Sequence, residues 1–223
     1  MGFNLKFFDE LIILGFFISS IFWMGYSFYL CFVSQKNISL LKNEFKITYL
    51  KIFHPDAMSG MRWSSLVSFL CSIYLMSFLS NIPSGYNIGT SLAALIITLM
   101  FLNTWIIIWR KQKRIIADTS DAQKCEDKYD LALKTNVIFS FPLIGLMVYS
   151  AQIKEISSPL ISLEGKIGPG WGSLALWTSL LIILLLEMNL IFGKNRKWMN
   201  KPKHIILFGI ILITLIGFLL RAS

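Results

Sequence analysis

Long apolar runs separated by short polar stretches dominate the chain. A helix needs roughly 20 apolar residues to cross the ~30 Å hydrocarbon core of a bilayer. Six segments meet or approach that length: Phe8–Val33, Ser64–Ile82, Thr90–Trp109, Asn136–Gln152, Trp171–Phe192 and Ile205–Leu220. The fourth and sixth are short. Transmembrane strands would alternate apolar and polar residues in steps of two, and runs such as "SLLIILLLEMNLIF" do not. The pattern therefore predicts an all-α integral membrane protein, a polytopic bundle of about six transmembrane helices. No repeat of 20–50 residues is visible, so residues 1–223 are expected to form one domain.

The polar stretches carry further information. "FKITYLKIF" fits either a strand or an amphipathic helix on the membrane surface. Ile38, Leu41, Phe45 and Ile52 suit a helical face, whereas Phe45, Ile47, Tyr49 and Phe53 mostly suit a strand face; periodicity does not choose between them. "HPDAMSG" reads as a turn leading into the second span, and "NIPSGYNIG" as a tight outer turn that pairs the second and third spans as a hairpin. The segment "RKQKRIIADTSDAQKCEDKYD" is expected to extend the third helix beyond the bilayer. The outer stretch Ile153–Gly170 ends in Gly and Pro turns, with Trp171 where an interfacial aromatic belongs.

Composition supports this picture: 55% of residues are hydrophobic and 15% charged. The net charge of +9 would suggest nucleic acid in a soluble protein, but the positions of the charges argue otherwise. The loop Ser34–Trp63 holds Lys36, Lys42, Lys46, Lys51 and Arg62. The loop after the third span holds Arg110, Lys111, Lys113, Arg114, Lys124, Lys128 and Lys134. The loop after the fifth holds Lys194, Arg196, Lys197, Lys201 and Lys203. Of the 21 Lys and Arg, only Lys6, Lys154, Lys166 and Arg221 lie elsewhere. Six spans with both termini outside put all three basic loops on one face, which the positive-inside rule makes cytoplasmic. The expected partners are therefore the lipid bilayer, its anionic headgroups and other membrane subunits, not nucleic acid. The first span is too long for a signal-peptide core, and no small-x-small cleavage site follows it. Abundant Ile, Lys, Phe, Asn and Ser favour an AT-rich bacterial genome and hence the cytoplasmic (inner) membrane.

Ionisable groups inside a membrane are functional candidates. Glu187 is the only carboxylate well inside a span, and the simplest expectation pairs it with Lys194 or Arg196 near the cytoplasmic end. Asn103, Asn136 and Asn189 lie near the same level, so all four residues form a candidate polar cluster. Its plainest role is interhelical hydrogen bonding, worth about 0.6 kcal/mol per contact. The serines of the second span read as close helix packing. His54 and His204 are the only histidines, and both fall in or beside cytoplasmic loops. They are weak candidates for a haem, which needs axial ligands buried in the spans. Cys31, Cys71 and Cys125 form no C-x-x-C and are expected to be reduced. No zinc set, nucleophile–base pair or phosphate loop is present.

Two stretches resemble a known family. "FFISSIFWMGYSFYLCFV" is similar to the first helix of the membrane domain of bacterial cytochrome-c-linked urate hydroxylases, with Trp23, Gly25, Ser27, Phe28 and Tyr29 matching. "NTWIIIWRKQKRIIADTSDAQKCEDKYDLALKTNVIFSFPLIGLMVYS" resembles a central segment of that family through Asn103, Gln112, Ala117, Asp118, Lys128, Tyr129, Asn136, Pro142 and Met147. "SGMRWSSLVSFL" matches at Trp63. The resemblance covers about half the chain and implies a membrane scaffold built to carry haem b. The histidines it leads one to expect fall on Phe16, Ser59, Trp105 and Thr135, and no cytochrome c segment follows the last span. The expectation is therefore a haem-free, non-catalytic accessory or assembly subunit, with Phe16 and Trp105 filling the porphyrin volume. A haem-linked oxidoreductase using His54, His204 or Met ligands is the alternative. A small-molecule or ion carrier using the polar cluster is the third reading.

Overall fold

The computed structural model describes residues 5–41, 43–52, 54–79, 88–117, 122–152, 171–193, 199 and 201–221. Among these, every element is helical. The chain begins with α1 (Leu5–Phe28), which passes through a π-helical segment (Tyr29–Ser34) into α2 (Gln35–Leu40). Next come α3 (Asn43–Ile52) and α4 (His54–Leu79). Helix α5 (Ile88–Leu102) continues through a second π-helical segment (Asn103–Ile108) into α6 (Trp109–Ile116). The remaining helices are α7 (Ala122–Gln152), α8 (Trp171–Phe192) and α9 (Pro202–Arg221).

Among the described residues, four helical stretches are long and apolar enough to cross a membrane: Phe7–Ile38, Gly89–Ile116, Lys124–Val148 and Pro202–Leu219. The apolar part of α8, Leu176–Phe192, is shorter. Helix α4 covers the expected second span as far as Leu79. It is diluted by Arg62 and by Ser64, Ser65, Ser68, Ser72 and Ser77, and it falls outside the four.

Helix α7 is the hub. It packs against α1, α5, α6, α8 and α9, and every residue from 131 to 140 is buried. A helix enclosed on all sides must be central. The short fourth span of the sequence reading is thus the inner part of the longest helix, which begins well before Asn136. Pro142 sits buried inside it.

Side-chain pairs fix the helix directions. Along α1 and α4, Asp9 accepts a hydrogen bond from Tyr74 at 2.7 Å, and Ser20 meets Ser68 at 2.7 Å. Tyr26 lies against Gly60, so the two helices run antiparallel. Helices α7 and α9 run parallel, because Phe141 faces Gly209 and Gly145 faces Ile213. A Cβ at Gly209 would collide with the Phe141 ring, and one at Gly145 would push the end of the Ile213 side chain aside, so the close crossing depends most on glycine at 209.

One expectation needs correction, and one open choice is resolved. "HPDAMSG" is the first two turns of α4 rather than a turn before it: Pro55 near the first helical position and Asp56 in the first turn are themselves helix-start signals. The open choice for "FKITYLKIF" resolves to helix over Asn43–Ile52, with Leu50 buried and Phe45 and Ile52 exposed. The "NIPSGYNIG" turn up to Asn87 and the stretch Ile153–Gly170 lie outside the described residues.

Replacing Gly209 with Leu is expected to overpack the α7–α9 crossing at a cost of about 1–3 kcal/mol. Gly217→Leu, where a Cβ meets nothing within 4 Å, is the control. Thermal unfolding in detergent should show a lower midpoint for the first variant only; equal midpoints would refute the crossing.

Candidate functional site

The π-helical segment after α5 places Asn103 and Thr104 side by side in the core. Such segments inside α-helices are frequent at functional sites. Asn103 Nδ2 donates to Asn136 Oδ1 on α7 at 3.2 Å and to Glu187 Oε2 on α8 at 3.3 Å. Asn136 Nδ2 donates to Thr104 Oγ1 at 3.2 Å and to the Met100 carbonyl at 3.3 Å. Thr104 also accepts from Trp23 Nε1 of α1 at 3.3 Å and gives its own proton to Met100 O at 2.9 Å. One network thus ties α1, the α5–α6 rod, α7 and α8 together. Trp23, Thr104 and Asn136 are fully buried, and Glu187 is 8% exposed.

Three of the four residues expected in the polar cluster therefore meet. Asn189 does not join them. Two positions along a helix from Glu187, it points to a different side and sits beside Gly193. The expected partners Lys194 and Arg196 lie outside the described residues, and among those described Glu187 bonds to Asn103. Trp23 and Thr104 were not foreseen as members of the cluster. Trp23 had been singled out only as a motif position, and a threonine in an apolar run gives little signal.

A second buried cluster closes the basic end of the bundle. His54 Nδ1 lies 2.8 Å from Gln112 Nε2, and its Nε2 lies 3.2 Å from the Tyr129 hydroxyl, so both ring nitrogens have a polar partner. The Tyr129 proton then faces Met58 Sδ at 3.9 Å. His54 is 2% exposed, and burial lowers its pKa to about 4. Gln112 Oε1 is buried without a partner. Close by in the chain, Lys128 gives hydrogen bonds to the carbonyls of Leu190, Ile191 and Gly193 at 2.9–3.1 Å. It thereby caps the end of α8 with a cation where the helix dipole favours one.

The remaining candidates are dispersed. His204 is exposed near the start of α9. Trp63 is 60% exposed, Tyr29 is 41% exposed, and a Cβ on Gly25 would meet nothing. Asp118 lies outside the described residues. Cys31, Cys71 and Cys125 are free. Among the described residues, no group of three or more His, Cys, Asp or Glu converges as a metal site would.

The four positions where the resemblance leads one to expect histidine do not fit a haem. Trp105 Nε1 donates to Ser65 Oγ at 3.1 Å, and its ring lies under Arg62. Thr135 is buried and bonded to the Leu131 carbonyl, and Ser59 carries no imidazole. Phe16 lines a cleft of about 110 Å³ between α1, α4, α5 and α7, together with Ser72, Thr90 and Leu146. Comparison with family models, curated proteins and solved structures returns no match.

The His54 geometry predicts a pH dependence. The unfolded chain takes up a proton on His54 near pH 6.5, whereas the folded chain resists it down to about 4. The contribution is complete above about 6.5 and declines as the pH falls toward 4, by about 1.4 kcal/mol per unit. Unfolding measured across this window should be steeper for the wild type than for His54→Gln. Identical pH profiles would refute the neutral buried imidazole.

Proposed function

We propose that the chain is a six-span protein of the cytoplasmic membrane, with both termini outside, built on a urate-hydroxylase-like membrane scaffold. It serves as a haem-free, non-catalytic accessory or assembly subunit of a membrane complex. The observation that carries this reading is the engagement of His54. Both ring nitrogens lie within hydrogen-bond distance of a polar neighbour, Gln112 on one side and Tyr129 on the other, so the buried histidine is engaged by the protein itself. The orientation is supported by the convergence of basic segments at one end: the start of α4 meets α6 and α7 through His54, and the start of α7 caps the end of α8 through Lys128. The polar network then acts as interhelical glue.

An absorption spectrum of the detergent-purified protein, oxidised and dithionite-reduced, with a pyridine haemochrome assay, is expected to show no haem. Purification in mild detergent is expected to yield a complex with a second membrane subunit. Stoichiometric haem would replace this reading with that of a membrane redox protein, and a strictly monomeric, partnerless protein would remove the subunit role.

A second reading, a small-molecule or ion carrier, is favoured by one observation. Glu187 is a buried carboxylate facing an asparagine beside a π-helical segment, and membrane-embedded carboxylates mark ion and proton paths. On this reading Glu187→Gln lowers flux into proteoliposomes at least tenfold. Equal flux for both proteins would eliminate it.

A further inference from the structure

Arg62 on α4 and Lys113 on α6 set their cations against the same indole. Arg62 Cζ is 3.6 Å from the Trp109 ring centroid, and Lys113 Nζ is 4.6 Å from it. The two charges are therefore no farther apart than those two distances combined. Arg62 also lies 4.5 Å from the Trp105 centroid. Like charges held this close repel one another, and among the described residues neither meets a carboxylate. The indole faces satisfy the charge but take no hydrogen bond, and Arg62 Nε is buried without a partner. The guanidinium is thus held in place by stacking with at least its Nε donor unspent, and its planar fork matches a phosphate.

The surroundings specify the kind of phosphate. Trp63, next to Arg62, is 60% exposed, and Val67 and Leu70 continue as an exposed apolar strip at helical spacing along α4. A soluble anion would have no use for the strip, whereas a lipid uses both parts. We propose that Arg62 and Lys113 form a binding site for the phosphodiester of an anionic phospholipid, whose acyl chains lie along Trp63, Val67 and Leu70. The site is separate from the polar network and does not depend on the accessory-subunit reading.

The test uses the full chain reconstituted in vesicles of equal parts phosphatidylcholine and phosphatidylglycerol, then extracted and examined by native mass spectrometry for retained lipid. The wild type is expected to retain phosphatidylglycerol severalfold over phosphatidylcholine. Arg62→Gln and Lys113→Gln, on separate helices, should each abolish the preference, while Arg110→Gln, which removes one charge from the same end, should keep it. Three results would overturn the proposal: no preference in the wild type, equal loss in Arg110→Gln (a diffuse surface field), or displacement of the lipid by inorganic phosphate (a soluble-anion site). Arg62→Lys keeps the charge without the planar fork and should retain an intermediate amount.

Discussion

Asn136 is fully buried on the central helix, and both ends of its amide are committed: the oxygen to Asn103, the nitrogen to Thr104 and a backbone carbonyl. In a nonpolar setting no water stands by to replace a lost partner, so a group of this kind is tolerated only where the protein satisfies it. That requirement fixes the register of α7 against the α5–α6 rod. Once the register is set, Asn103 reaches Glu187 and Thr104 reaches Trp23, which brings in α8 and α1. The apolar contacts around the network supply bulk packing, and the amide adds a directional requirement that shape alone does not impose.

The basic end is organised by different means. There the helices meet through groups that cap or stack: a lysine closes the carbonyls of α8, an imidazole sits between an amide and a phenol, and an arginine lies on two indoles. These contacts use charge without pairing it with opposite charge.

Much of this was legible in the sequence, for a simple reason. Asn103, Asn136 and Glu187 stand out because they interrupt apolar runs, and nearness in depth was enough to group them. Trp23 and Thr104 were not legible as members because each also belongs in ordinary membrane packing, and only the three-dimensional register shows which way their polar atoms turn. His54 was misplaced for a related reason: Pro55 and Asp56 are common both in turns and at helix starts, and the buried neighbours that decide the matter lie far along the chain at Gln112 and Tyr129. The centrality of α7 was hidden because its first half is charged, with Lys134 and Asp130 forming an ion pair one turn apart, and so resembles a loop. The helical segments themselves followed from run length, because length is the property the bilayer constrains.

The π-helical segment in the α5–α6 rod has one further consequence. A rod with a purely α-helical path would advance by about 100° per residue throughout; the wider turn at Asn103–Ile108 resets that phase partway along. The rod is therefore two helices of different azimuth joined end to end. Its first half presents Met100, Asn103 and Thr104 to the network, and its second half presents Trp105, Trp109 and Gln112 to α4. The segment lets one continuous rod serve two sides of the bundle, turning its first half toward α7 and α8 and its second half toward α4.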